Sequence, residues 1–481
     1  MEIIGLLFKS AKKHFDKTAV ISSREEIMLT YGQLVSGISD CSSYLSKIGI
    51  SAEMNVAIKM KKSEKWALYF FALLHIGANP VLIESQFTDS ETSECMRVSK
   101  TDLIITDRMI LNISNNIRKL YLIDETINEV PDDRVIVVNP GNDYVFRTDD
   151  FHLPEINKNM HSKIILFTYR GFGYPLAAEF DESSLINGVK SNIAATGVNG
   201  KTVITDMLPS SHIFSLTTSL LSILFVGGTV VMINNVMPGE VIRSIDRYGI
   251  NIIIAVPTLI RILAETMKKK KYVLNRKIKG MVGGNSLTEE IFKEWRDITG
   301  GILVQGYGLT ETCPVMCNDW SVYRTCSIGK PMPGVKAKIV SDGKKVKNGE
   351  RGILFIKRKG MMTRYMNLSV DMKPLLTNGW FDTGDIVSKG KDGYFYFHGR
   401  AKDIAKIGGV TVDIKEIIEI IKKYDGVMDV SIGIADDRIW QEKLVCHISC
   451  SKDIKKEDLI EYLRNKLSTS KIPKEFNITS I

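Results

Sequence analysis

Thr310 and Glu311 set a hydroxyl beside a carboxylate in the segment Gly306-Tyr307-Gly308-Leu309-Thr310-Glu311-Thr312. A threonine hydroxyl donates readily to a phosphate oxygen, and a carboxylate is the hard oxygen ligand that Mg²⁺ selects. Glycines at 306 and 308 are expected to let the backbone turn sharply and approach a flat ligand closely. The same composition also suits an ordinary tight turn, so the segment alone leaves both readings open. Two further polar clusters follow in the chain, Trp380-Phe381-Asp382-Thr383-Gly384-Asp385 and Gly399-Arg400-Ala401-Lys402-Asp403.

Elements must exist to hold these groups in place. Ile302, Leu303 and Val304 read as a short buried strand that the two glycines break. Upstream, residues 66–74 are an apolar and aromatic run that reads as a buried helix stopped by Gly77, with a strand at 80–83 beyond it. Further strands are expected at 103–105, 135–138, 163–167 and 251–257. This alternation predicts an α/β protein whose large N-terminal domain holds two mainly parallel, helix-covered sheets. Turn signals at 329–334 and 348–350 predict a β-rich subdomain after them. From about residue 400 the pattern becomes a small α+β domain, with helices at 412–424 and 459–467 and strands at 430–434 and 443–448. Residues 213–233 are uncharged and long enough to raise a membrane span, but Gly227-Gly228 divides them into a core helix and a strand, so no span is expected.

Composition narrows the class. A chain of 481 residues exceeds one typical core, and 44% hydrophobic with 25% charged content is that of a soluble globular protein. The first residues lack a signal-peptide pattern, and seven scattered cysteines imply reduced thiols and a cytoplasmic setting. Cys313 and Cys317 lack the spacing and the nearby histidine of a zinc site. Much of the net charge of +9 is local, in Lys268, Lys269, Lys270, Lys271, Arg276, Lys277 and Lys279. That run reads either as a solvated helix end or as a landing patch for an anionic ligand or partner. Without interleaved aromatics it does not point to nucleic acid.

Taken in order, YGLTE, WFDTGD and GRAKD resemble the core motifs of the adenylate-forming superfamily of acyl- and aryl-CoA ligases, peptide-synthetase adenylation domains and firefly luciferase. Leu29-Thr30-Tyr31 and Lys471-Ile472-Pro473-Lys474 extend the resemblance over nearly the whole chain. It implies a large AMP-binding domain over 1–399 and a small mobile lid over 400–481, swinging about Lys402. It implies ATP, Mg²⁺ on Glu311, and coenzyme A or a carrier protein's phosphopantetheine as cofactors and acceptor. Within the cleft, the resemblance implies adenine stacking on Tyr307 between Gly306 and Gly308, ribose bound by Asp385 and Arg400, and Thr310 on phosphate. His212 falls where the family places a side chain at the acyl carboxylate. Gly284 and Asn285 fall at the acyl and adenine pockets, and Gly408 and Gly409 on the tunnel for the thiol.

The sequence departs from that pattern in two places. The phosphate-loop register keeps Thr168, Gly173 and Pro175, but Leu176 stands where the family has a lysine, and Arg170 and Gly171 replace a glycine and a hydroxyl. Glycine amides can still converge on phosphate, and Arg170 is a candidate for the missing charge. The family also carries a lysine beyond the KIPK segment. The chain stops at Ile481 before reaching it, so the lid is expected to be truncated. No carboxylate follows His212 to pair with an α-ammonium, which points to an acid lacking an α-amine. The expected function is an acid–thiol ligase that forms an acyl-AMP from a small carboxylic acid and transfers it to a thiol. Two alternatives stay open: a homologue that mainly runs the thiol half-reaction, and a non-catalytic binding protein.

Overall fold

The structure, a computed structural model, describes residues 2–24, 26–101, 103–108, 119–122, 135–137, 161–234, 236–320, 324, 327–368, 376–400 and 404–480. Lys402, expected as the hinge, and Val138 lie outside them.

Helices form where the sequence supplies both ends. Glu64–Ile76 starts at Ser63, whose hydroxyl accepts from Trp66 N, and stops at Gly77 in the left-handed conformation. Its Trp66, Phe70 and Phe71 are buried, and the Trp66 and Phe70 rings stack at 5.3 Å. Tyr31–Lys47 and Asp89–Val98 each open on a capping box, Thr30 with Gln33 and Thr88 with Glu91.

These helices cover two large sheets. In the first, Thr18–Ser22, Thr229–Met232, Val203–Asp206, Ile252–Ala255, Lys279–Val282 and Ile302–Leu309 run parallel, with Ile27–Thr30 added antiparallel at one edge. In the second, Lys163–Thr168, Asn79–Leu82, Asn55–Lys59, Leu103–Thr106, Lys119–Leu122 and Val135–Val137 run parallel, with Leu176–Asp181 antiparallel at one side. Parallel strands buried on both faces explain why their sequences are apolar runs rather than alternating ones.

Past Ile302–Leu309 the first sheet becomes antiparallel. It continues through Cys313–Cys317, Ser327–Pro331, Phe395–Arg400, Trp380–Lys389, Arg351–Lys357 and Lys336–Ser341. This is the β-rich part, with its own core around Val315, Ile339, Leu354 and Val387. The C-terminal residues form another separate core. There a hairpin of Ile404–Ile407 and Val410–Asp413 leads into helix Ile414–Ile421, beside a sheet of Val427–Asp437, Gln441–Cys450 and Glu475–Ser480.

Two local expectations need correction. Gly306 and Gly308 do not break the strand, which runs on to Leu309 because its second half pairs with Cys313–Cys317. The reversal falls instead at Thr310–Thr312, and the left-handed residue is Cys313, at φ +58°. Within 412–424, residues up to Asp413 are strand and only Ile414–Ile421 is α-helix, since Asp413 accepts from Lys415 N and Glu416 N and starts the helix there. The apolar stretch after His212 winds as a π-helix, Ser215–Leu221, before the α-helical Ser222–Val226 and the strand Thr229–Met232. Among the described residues no helix is long and apolar enough to cross a membrane.

Gly308 matters through closeness rather than φ. A Cβ there would stand 2.5 Å from Cys313 O and 2.7 Å from Pro314 Cα, both backbone atoms that cannot yield cheaply. Gly308→Ala should therefore cost about 1–3 kcal/mol of stability, read as a lower urea midpoint with an unchanged slope.

Candidate active site

Strand Ile302–Leu309 delivers its C-terminal end to the crevice between the two large sheets. Around that end lies a partly open cavity. Thr168, Arg170, His212, Gly284, Gly306, Tyr307, Gly308, Thr310, Glu311 and Arg400 all line it. A second cavity shares Gly284, Tyr307 and Arg400 with the first and adds Asn285. Most residues singled out from the sequence thus meet in one place.

The polar groups constrain one another. Tyr307 donates its hydroxyl to Asp385 Oδ2 at 2.7 Å, and Arg400 Nε lies 3.2 Å from Asp385 Oδ1. That second contact is an ion pair without hydrogen-bond geometry, so Asp385 Oδ1 and Arg400 Nε are both buried without a hydrogen bond. Asp385 itself is fully buried and stands behind the cavity wall. Of its two oxygens, Oδ1 is the one that has no hydrogen-bond donor. Burial first, and Asp385 second, push the Tyr307 phenol well above its ordinary pKa, so it stays a donor.

Glu311, also buried, accepts from the Tyr365 hydroxyl at 2.6 Å and pairs with Arg170 Nη1 at 3.4 Å, both through Oε1. Arg170 donates as well to Asp382 O at 3.0 Å and lies over the Phe381 ring. Burial works against the Arg170 charge, but Glu311 and the neighbouring acids outweigh it and hold its pKa above the ordinary value. Leu176 is wholly buried in a strand opposite Thr168, so the position after Pro175 offers no cation. Arg170 therefore brings a permanent positive charge to the cavity wall.

His212 turns its Nδ1 to Phe214 N at 3.2 Å. Burial, then Lys406, lower its pKa to about 4, so at neutral pH it is an uncharged imidazole.

Other expected residues lie off the first cavity. Gly171 faces open space, and Gly173 N already donates to Asp413 Oδ2 at 3.1 Å. Asn285 donates to Lys406 O at 3.3 Å. Gly408 and Gly409 form the tip of the C-terminal hairpin, at φ +55° and +89°. A Cβ on Gly409 would stand 2.4 Å from Val256 Cγ1, so only glycine lets the tip seat this deeply.

Two residues at the site were not anticipated. Tyr365 had no signal in the sequence. Lys406 did: it is a lone charge inside the apolar strand Ile404–Ile407, immediately before Gly408-Gly409. It lines both cavities and donates to Thr411 Oγ1 at 2.5 Å. Burial first, then Arg400, pull its pKa down to about 7, against the pull of Asp385, Glu311 and Glu442.

A two-sheet α/β body with an anion-ready crevice at strand ends, closed by a small α+β module, defines a nucleotide-site class of protein. The family described as AMP-binding enzyme matches residues 7–366, and the chain belongs to that family. It is similar to a long-chain-fatty-acid–CoA ligase of Escherichia coli, 23% identical over 98% of this chain and 90% of that relative. It is also similar to a 2-succinylbenzoate–CoA ligase of Bacillus licheniformis, 24% identical over 96% and 93%. Among solved structures it resembles o-succinylbenzoate CoA synthetase from Bacillus subtilis bound with a product analogue, at TM-score 0.84 and 21% identity over 98% and 94% of the two chains. The amide bond synthetase from Marinactinospora thermotolerans is equally similar in fold, at TM-score 0.85 and 17% identity over 100% and 96%.

The Lys406 shift has a signed consequence. Between about pH 7 and its ordinary value of 10.5 the unfolded chain holds a proton at this position that the folded chain has released. The penalty for burying the ammonium is therefore full below pH 7 and fades as pH rises through that window. Urea unfolding of the wild type and Lys406→Met at pH 7 and pH 9 should give a smaller pH-dependent gain in the variant.

Proposed function

We propose that this protein is an ATP-dependent acid–thiol ligase of the acyl- or aryl-CoA kind, acting on a small carboxylic acid without an α-amine. The observation that carries the reading is the convergence of Thr310, Glu311, His212 and Arg400 on one cavity, with Asp385 held directly behind Tyr307. Residues 1–399 act as the body and 400–481 as a lid.

Glu311 suits Mg²⁺. It presents a carboxylate at the cavity wall, and among the described residues no cluster of three metal-binding side chains competes with it. A cation there would take most of its shell from phosphate oxygens and water, which is how Mg²⁺ is commonly held. When bound it supplies positive charge to the phosphate chain. The chain's own residues do the rest.

In the first step a carboxylate oxygen of the acid attacks the α-phosphorus of ATP, and pyrophosphate leaves with the electrons of the broken P–O bond. Thr310 donates to a phosphate oxygen, Arg170 adds charge beside Glu311, and Asp385 Oδ1 accepts from a ribose hydroxyl. Neutral His212 borders the acyl end without repelling or pairing with a second charge. In the second step a thiol gives up its proton and its sulfur attacks the acyl carbonyl, so that AMP leaves with the C–O electrons. Lys406 and the Gly408-Gly409 tip stand on the side from which the thiol arrives. Coenzyme A is the acceptor this reading favours, and a carrier protein's phosphopantetheine offers the same thiol. Among the described cysteines none forms a disulfide, which suits a cytoplasmic enzyme.

One observation favours a second reading, transfer from a supplied acyl-adenylate with little ATP chemistry. Leu176 leaves no cation after the phosphate loop, and Arg170 is already engaged with Glu311.

Exchange of labelled pyrophosphate into ATP separates the two. The ligase should catalyse exchange that depends on an acid and on Mg²⁺, and Glu311→Gln should lower it by about 10²-fold. Absent exchange with intact thioester formation from acyl-AMP would favour the second reading, and absence of both would overturn enzyme function. Lys406→Met should lower thioester formation about tenfold and remove an inflection near pH 7 from its rate profile.

A further inference from the structure

Lys471 is fully buried and lines neither cavity, yet its ammonium meets two carboxylates and a phenol. It closes the short turn Thr469–Lys471. Its Nζ lies 2.8 Å from Glu91 Oε1 and 3.0 Å from Glu416 Oε2, and it donates to the Tyr169 hydroxyl at 2.9 Å. The ammonium also faces the Tyr169 ring at 4.1 Å and the Phe87 ring at 5.2 Å.

These partners come from two different parts of the molecule. Glu91 sits on helix Asp89–Val98 and Tyr169 directly follows strand Lys163–Thr168, at the start of the loop expected to cradle phosphate. Glu416 sits on helix Ile414–Ile421, in the same C-terminal module as Lys471. Ser468 adds its N and Oγ to the same Glu91 Oε1, at 3.2 and 3.3 Å. Close by, Asp413 of the C-terminal hairpin takes the Gly173 amide at 3.1 Å. One buried cation therefore joins the body, the phosphate loop and the C-terminal module.

We propose that Lys471 is a positioning residue, a latch that fixes the C-terminal module where Lys406 and the Gly408-Gly409 tip reach the cleft. The proposal rests on reading that module as a lid. Unlatching breaks the Lys471 contacts to Glu91, Tyr169 and Phe87, with those of Ser468 to Glu91 and Asp413 to Gly173, while Glu416 travels with Lys471. The ammonium is then never left buried and unpaired, the one outcome that would make release prohibitive. The same bonds report on the phosphate loop: with Gly173 N held by Asp413 and Tyr169 held by Lys471, the latched state suits an emptied phosphate site and so the thiol step.

Glu91→Gln tests the latch from the body side. The amide oxygen can still cap Thr88 N, which the Glu91 carboxylate now does at 2.9 Å, while the charge opposite Lys471 is lost. Nitroxides at exposed positions 47 and 422 would report the distance between body and module by pulsed electron paramagnetic resonance. The wild type should give one dominant distance, and Glu91→Gln a second population at least fivefold larger than in the wild type. Lys471→Met should do the same and Lys471→Arg should not. In parallel, thioester formation from supplied acyl-adenylate should fall at least fivefold in Glu91→Gln while pyrophosphate exchange stays within twofold. An unchanged distance distribution in both Glu91→Gln and Lys471→Met would overturn the latch, as would an equal fall of both half-reactions. If the wild type catalyses neither half-reaction, the ligase reading fails, and the distances alone still decide the latch.

Discussion

The site depends on one strand belonging to two kinds of sheet. Ile302–Leu309 pairs parallel with Lys279–Val282 through its first half and antiparallel with Cys313–Cys317 through its second, with a bulge between Tyr307 and Gly308. A parallel partner must lie on the helix-covered sheet, while an antiparallel hairpin partner folds back at once into the β-rich part. The strand is therefore held at both ends by different layers, and its exit points into the gap between them. The change of partner falls between Gln305 and Gly306, so Tyr307 lies just past it, and Thr310 and Glu311 lie in the turn that follows the strand. Glycine at 308 is required by the hairpin's return, whose backbone passes within a methyl group's reach.

Charge balance is the second organising feature. Three cations, Arg170, Arg400 and Lys406, line the first cavity, and the acids that face them are Glu311 in the wall and Asp385 behind it. Neither acid has an exposed carboxylate to spend on solvent, so each is fixed by a phenol: Tyr365 for Glu311 and Tyr307 for Asp385. A phenol donates without adding charge, which leaves the excess of positive potential available to a polyanion. Preorganised donors of this kind cost no rearrangement when a charged ligand arrives.

Much of this was legible in the chain and some was not, for physical reasons. The helix at 64–76 and the parallel strands were readable because buried runs and capping residues are local signals. The strand through Gly306 and Gly308 was misread because glycine marks freedom, while its partner Cys313–Cys317 decides whether the freedom is used. Arg170 could be named but not placed, since its contact with Glu311 joins loops far apart in sequence. Tyr365 was invisible, because a tyrosine next to an arginine carries no spacing signature. Lys406 was visible as a charge breaking an apolar strand, and only the position of its hairpin turns that irregularity into a site residue.

That hairpin also seats a C-terminal module with a core of its own. Its own core, from Ala405 to Leu467, is complete without the body. The contacts to the body are polar or small: Asn285 with Lys406 O, Gln441 with Ser286 O, Gly173 with Asp413, and Gly409 against Val256. Side-chain to backbone hydrogen bonds and a glycine contact define an orientation closely. Lys471 makes a buried charged link across the boundary, and it carries a second carboxylate, Glu416, on its own side. A joint that includes directional hydrogen bonds and a buried ion pair is the kind of boundary that the proposed latch requires, because water can satisfy the same polar groups once they part.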